Sequence, residues 1–186
     1  QVTKKLNINI VSAGFDPISK LDEVPNNPKQ RYKLMTKDMP LGGELSLDMM
    51  YRTCGTQLNI DYESEVDFIK KFRVVNSIVP ISISLFSNSS IVEKKKSNYL
   101  SYRSKVWQNT ARGGLPKLFF EDLNFEKYAD FIMKFPILFI QNKENYISGK
   151  NYTFEDFMKQ KINEINNRLP TESDLSIHLS TIFTEN

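Results

Sequence analysis

Hydrophobic and polar positions change period along this chain, and each period predicts an element. Residues 6–15 (LNINIVSAGF) alternate apolar with small or polar side chains, the two-residue repeat of a strand. Residues 16–30 hold three prolines and the adjacent Asn26 and Asn27, so they form a long loop. Residues 31–39 (RYKLMTKDM) form a short helix stopped by Pro40, with Gly42 and Gly43 as the turn. Residues 52–62 alternate again and predict a strand. Thr53, Gly55, Gln57, Asn59 and Asp61 fall on one face, and Cys54, Leu58, Ile60 and Tyr62 mainly on the other. A face of amide, hydroxyl and carboxyl groups is costly to bury without partners.

Ser64 then caps a helix, with Asp67 three residues on completing a near capping box. Val66, Ile69, Phe72 and Val79 make its apolar stripe, Pro80 kinks or interrupts it, and residues 81–86 make a second helical run before the Ser/Asn turn at 87–90. Further on come an amphipathic helix over 124–135, a buried strand over 136–140 and a helix over 153–165 capped by Thr153. Alternation returns over 177–183 (IHLSTIF) and predicts a last strand. No repeat or low-complexity linker interrupts the series. The pattern is that of one mixed α+β domain over residues 1–186 with a largely antiparallel sheet.

Composition narrows the chemistry. Apolar residues at 40%, charged at 25% and aromatic at 12% are ordinary globular values. No apolar run reaches the roughly 18 residues that span a bilayer, and Gln1 opens no signal peptide, so the expectation is a soluble cytoplasmic domain without a membrane partner. One cysteine and one histidine exclude an internal disulfide framework and an ordinary four-ligand zinc site. There is no glycine-rich dinucleotide turn, no GxxxxGK[ST] loop and no HExxH helix. The net charge of +3 is no nucleic-acid signature. Lys94, Lys95 and Lys96 alone equal the excess, and they read as a solvated turn or else as an entrance that attracts anions.

With 25 lysines and arginines together, only Arg31, Arg52, Arg73, Arg103, Arg112 and Arg168 are arginine. In a chain so rich in lysine, asparagine and isoleucine, a retained arginine is one whose planar fork lysine cannot replace, either at a carboxylate or phosphate site or in a structural salt bridge. Glu63 and Glu65 superficially resemble paired magnesium carboxylates, but at a helix start they complement the backbone dipole. Gln57 and Asn59 are either ligands or sheet-edge polar residues, and Arg52 beside them is equally a salt-bridge residue. Cys54 alternates onto the apolar side without a histidine to activate it. His178 reads as structural. Trp107, four residues after Arg103, either packs in the core or walls a pocket that Arg103 enters.

Five strings occur in order: PKQRYKLM (28–35), LSLDMMYRTCGTQLNIDY (45–62), LFSNSS (85–90), LSYRSKVW (100–107) and HLSTIFTE (178–185). Together they closely resemble the glutamate–cysteine ligases of plants and many proteobacteria, from about Ile8 onward. The family patterns are approximately KGRY, LGLDMMxRTCTVQVNLDF, LFANSPF, SxRSxIW and HLTTIFPEVR. The resemblance implies an incomplete glutamine synthetase-like fold, the central part of a catalytic domain lacking pieces at both ends. It also implies an ATP- and Mg2+-dependent ligation of glutamate to cysteine through an acyl phosphate, the first step of glutathione synthesis. By position, Arg31 would help hold glutamate, Arg103 would anchor the amino-acid carboxylate or the acyl phosphate, and Gln57 would lie near the magnesium and the glutamate. Tyr62 would stand beside the cysteine pocket, Trp107 would contact substrate, and Arg112 would contact phosphate.

Some positions depart from the pattern. Leu138 stands where the family has a tyrosine in the cysteine pocket, which weakens the hold on the thiol. Gly55 and Thr56 replace Thr-Val, Ser90 replaces a proline, and Thr184 replaces another. The family's strand of metal-binding carboxylates lies upstream of residue 1, so the 186-residue chain alone is expected to bind little Mg-ATP and not to turn over. Two other readings remain at this point: a related ligase using another amine, and a non-catalytic binding module. An uncovered sheet edge would also favour a homo-oligomer.

Overall fold

The computed structural model describes residues 2–110 and 121–182; Arg112, Thr184 and Asn186 lie outside them. Eight helices and four short strands follow in the order α1 (Val2–Lys5), α2 (Gln30–Asp38), α3 (Ser46–Arg52), α4 (Glu65–Leu85), β1 (Ile91–Val92), β2 (Lys95–Lys96), α5 (Tyr102–Gln108), α6 (Phe125–Lys134), β3 (Phe139–Asn142), β4 (Asn145–Ser148), α7 (Phe154–Met158) and α8 (Glu172–Leu179) among the described residues. α4, α6, α7 and α8 begin where side chains satisfy orphan amides. Ser64 accepts from the Asp67 amide at 3.2 Å, Asn124 from Lys127 at 2.8 Å, and Thr153 and Thr171 form reciprocal capping boxes with Asp156 and Asp174.

The mixed α+β character holds, and both sheets are antiparallel, but each has two strands where a larger sheet was expected. β1 pairs with β2, and β3 pairs with β4 from Phe139–Ser148 to Asn142–Asn145. Residues 8–13 form no ladder and no helix. Their expected strand shrinks to one antiparallel bridge, Phe15 to Thr53, flanked by Asp16 N–H to Arg52 O (2.8 Å) and Cys54 N–H to Gly14 O (3.0 Å). Residues 54–62 are exposed and carry no regular structure, no described strand pairs with them, and α3 has already claimed Arg52. Cys54 is therefore exposed, not on a buried apolar face.

Three further expectations change. α4 continues through Pro80 to Leu85, so there is one 21-residue helix and no second run. The helix expected over 153–165 ends at Met158; Gln160 takes a left-handed backbone (φ 57°), and a 3-10 turn follows at Asn163–Ile165. The last segment is helix α8 and not a strand. The Thr171–Asp174 box nucleates a turn upstream of the alternating residues, and local capping overrides a period-2 pattern too short to choose.

Three apolar clusters hold the structure. Phe15, Met39, Met49, Val106, Leu138 and Phe139 form one; Ile137, Ile140, Phe154, Phe157, Ile162 and Ile165 form the second. The run 137–140 serves both, which is why it is apolar throughout and does not alternate. Phe72 and Leu123 centre the third, with Phe68 and Tyr128 against them. His178 is structural: its Nε2 lies 2.9 Å from the Ile132 carbonyl and its ring stacks on Phe154 at 4.9 Å. Arg52 is structural too. It is buried across the Phe15 ring and bonded to Asp48 at 2.9 Å and Glu93 at 3.3 Å. The lysine segment is an exposed hairpin turn with Glu93 and Lys94 at positive φ.

Candidate functional site

The bridge at Phe15–Thr53 launches the extended segment 54–62 across the faces of α4 and α5. Between them lies an open cleft of about 730 Å³ whose lining includes Gln57, Asn59, Tyr62, Lys71, Arg103 and Trp107. Five of the positions singled out in the sequence thus meet in one place: Gln57, Asn59, Tyr62, Arg103 and Trp107.

Arg103 sits in the first turn of α5, which the Ser101 hydroxyl caps at the Ser104 amide. Its own amide donates to Ser89 Oγ at 3.1 Å, its Nε donates to the Cys54 carbonyl at 3.1 Å, and its guanidinium carbon lies 5.5 Å from the Trp107 ring centroid. Gly55 eases this approach, since a Cβ there would stand 3.1 Å from Arg103 Nη2 and the guanidinium would have to give by a few tenths of an ångström. With Nε engaged, the two Nη groups make no hydrogen bond among the described residues, leaving a fixed two-pronged donor for a carboxylate or phosphate. Burial lowers the pKa of Arg103 and Cys54 opposes the shift, but a guanidinium stays charged.

Around it the cleft is cationic and amide-lined. Gln57 Nε2 donates to Asn59 Oδ1 at 3.2 Å, as residues two apart on an extended chain allow. Lys71 Nζ bridges the Asp61 carbonyl (2.7 Å) and Asp67 (2.6 Å). The Lys71 ammonium first, then the Glu63 amide, holds the Asp67 carboxyl below its usual range. The Tyr62 ring leans on Phe68 and Phe125, at 5.2 and 5.8 Å between centroids. Lys71 was not among the residues read from the sequence; its signal was Asp67 four positions earlier on the same helix face.

Arg31 is half-buried on α2, its guanidinium carbon 5.4 Å from the neighbouring Tyr32 ring, and it lines no part of this cleft. Arg112 lies outside the described residues. Leu138, the other position that the resemblance gives to the cysteine pocket, lines a different cleft from Tyr62. Glu65 accepts from the Phe125 amide at 2.7 Å and so ties α4 to α6. No group of three or more His, Cys, Asp or Glu side chains suited to a metal occurs among the described residues. The donors around Gln57 are carboxamides flanked by Lys71 and Arg103, and they do not fit a magnesium ion, which needs carboxylate or phosphate oxygens.

Comparison with known proteins agrees with the motifs. The family model described as glutamate-cysteine ligase family 2 matches residues 1–186. The chain is 41% identical over 187 residues to "Glutamate--cysteine ligase, chloroplastic" of Nicotiana tabacum, covering 99% of this chain and 36% of the relative. It is 40% identical to the chloroplastic ligase of Medicago truncatula, covering 99% of this chain and 37% of that protein. It is equally 40% identical to "Glutamate--cysteine ligase A, chloroplastic" of Oryza sativa subsp. japonica, covering 99% of this chain and 38% of the relative. The chain thus spans a little over a third of the length of these relatives. Their chloroplastic names overturn the cytoplasmic expectation: composition and the lack of an apolar span carry no cellular address. Among the described residues no helix is long and apolar enough to cross a membrane. A match along the full chain, with relatives near 40% identity, places the protein in glutamate–cysteine ligase family 2.

Proposed function

We propose that this chain is the substrate-holding part of a glutamate–cysteine ligase catalytic domain with a glutamine synthetase-like fold. In that reaction the γ-carboxylate of glutamate attacks the terminal phosphorus of ATP and ADP leaves. The free amine of cysteine then attacks the acyl carbon of the γ-glutamyl phosphate, and phosphate departs with the bonding pair while the amine nitrogen loses a proton. The observation that carries the reading is the fixed Arg103 fork over Trp107 beside Gln57. It suits an anionic carboxyl or acyl phosphate and holds it before charge develops, so that little reorganisation is needed. Trp107 and Tyr62 wall the substrate and Gln57 donates or accepts at its polar end. Arg31 and Arg112 are assigned by resemblance alone, as a second glutamate anchor and a phosphate contact.

ATP and magnesium belong to this reading in the complete enzyme. The ion's carboxylate ligands are not supplied by the cleft, and no step above is routed through it. The 186-residue chain alone is accordingly inactive in this proposal. A second copy covers the unpaired edge at 54–62; a monodisperse monomer in light scattering contradicts that part.

The test is γ-glutamylcysteine formation by the full-length protein carrying this segment. Arg103→Lys should lower kcat/KM for glutamate by about a hundredfold, since lysine keeps the charge and loses the fork. An unchanged R103K, or a full-length protein that makes no γ-glutamylcysteine, sinks the proposal. Because Leu138 replaces the tyrosine that the resemblance leads one to expect, a second reading has another amine as acceptor. ADP release across an amino-acid panel separates the two, and clear preference for cysteine excludes the second.

A further inference from the structure

Arg103 is held at its backbone and along its stem by two residues that line no part of the cleft, Ser89 and Gly14. Its amide donates to Ser89 Oγ at 3.1 Å. Ser89 is buried and bonded on both sides of its own peptide. Its amide donates to the Leu100 carbonyl and its carbonyl accepts from the Tyr102 amide, each at 3.1 Å, which makes the parallel bridge between Ser89 and Ser101. The hydroxyl that meets Arg103 is therefore carried on a fixed backbone. Gly14 lies against the stem. A Cβ there would stand 2.8 Å from Asn88 Oδ1, 3.4 Å from Arg103 Cδ and 3.6 Å from Ser89 Oγ. The Gly14 backbone is outside the left-handed region, so glycine is there for space and not for conformation. Its carbonyl accepts from the Cys54 amide at 3.0 Å, and the Cys54 carbonyl is the group that takes Arg103 Nε. Gly14 thus touches the stem of Arg103 and anchors the peptide that fixes its head.

An arginine side chain is rich in rotamers, and a free one must be ordered when its ligand binds, at a cost in affinity. A small turn about the Cδ end of the stem carries both Nη groups away from the line on which two parallel hydrogen bonds to a carboxylate form. We propose that Gly14 and Ser89 are positioning residues for glutamate, which hold the Arg103 fork aimed into the cleft before the substrate arrives. The inference rests on the reading of Arg103 as the anchor of a glutamate carboxyl, and it adds where the precision of that anchor comes from. Because the device orders the free protein, its loss weakens glutamate binding and leaves the turnover of bound glutamate as it was.

The test is steady-state kinetics on the full-length protein. Ser89→Ala removes the acceptor and should raise KM for glutamate about fivefold, the effect of one net hydrogen bond, with kcat and the KM for ATP unchanged. Ser89 is buried and can fail to fold when changed, so Gly14 supplies the second arm. Gly14→Ala should do little, because the exposed Asn88 carboxamide can turn aside. Gly14→Val sets a branched side chain against Arg103 Cδ and should raise KM for glutamate about tenfold. A role in folding alone would lower kcat with the folded fraction and leave every KM alone. The deciding arm repeats both changes on Arg103→Lys: lysine has no fork to aim, so each should then move KM for glutamate less than about twofold. Shifts that persist in R103K, that appear equally in the KM for ATP, or that fall on kcat overturn the proposal. If R103K is impaired while S89A and G14V behave as wild type, this inference fails and the reading of the site stands. If R103K itself is unimpaired, that reading fails and this inference with it.

Discussion

Asp174 is the clearest case of one carboxylate doing several jobs at once. It receives both Nη groups of Arg168 at 2.8 and 2.9 Å, and the hydroxyl and amide of Thr171 at 2.6 and 2.8 Å. Burial alone would raise its pKa, but the Arg168 fork and the Thr171 donors outweigh it and hold the carboxyl below its usual range. Stability from this group is therefore complete above the unfolded-state pKa of about 3.9 and is lost as pH falls through the lower folded value. Asp174→Asn should cost about 2 kcal/mol at neutral pH in urea denaturation, and the gap to wild type should close below about pH 4. A gap of the same size at pH 3 and pH 7 contradicts this account. Arg168 also donates to the Gln141 carbonyl at 3.1 Å and lies over the Phe157 ring, so it links β3, α7 and α8. That answers in structural terms why this arginine is not a lysine.

Elements announced by local chemistry were legible, and those that depend on distant partners were not. Ser64 with Asp67, Asn124 and Thr153 marked helix starts because a cap acts within three residues. The strands expected over 6–15 and 52–62 needed neighbours that period-2 patterning cannot supply, and among the described residues they pair only at Phe15–Thr53. The cleft was half legible. Arg103 and Trp107 face it because four residues separate them on α5, and Gln57 and Asn59 because two separate them on an extended chain. The ion pair of Lys150 with Asp38, 3.8 Å apart, joins distant parts of the chain, and nothing local announces it. Pro80 belongs here too. It removes one donor from the middle of α4, leaving the Asn76 carbonyl without its helical partner. Pro80→Ala should restore that bond and raise Tm by about 3 °C; a drop in Tm contradicts this account.

Considered together, the three clusters divide the protein unequally. The two that share residues 137–140 enclose β3, β4 and α7, whereas the third covers only one stretch of α4 and its neighbour α6. Hydrogen exchange followed by mass spectrometry should find 137–148 the slowest region, with 54–62 fast in the monomer and protected where a second copy covers it; equally fast exchange of 54–62 at low and high protein concentration contradicts the covering copy. The Cys54 thiol is exposed, yet its own carbonyl is the group that fixes Arg103. As the sole cysteine of the chain, it offers an unmutated attachment point for a fluorophore at the rim of the cleft. Occupancy by an anionic ligand can then be followed as a spectral change in real time, on a protein whose binding residues are all intact.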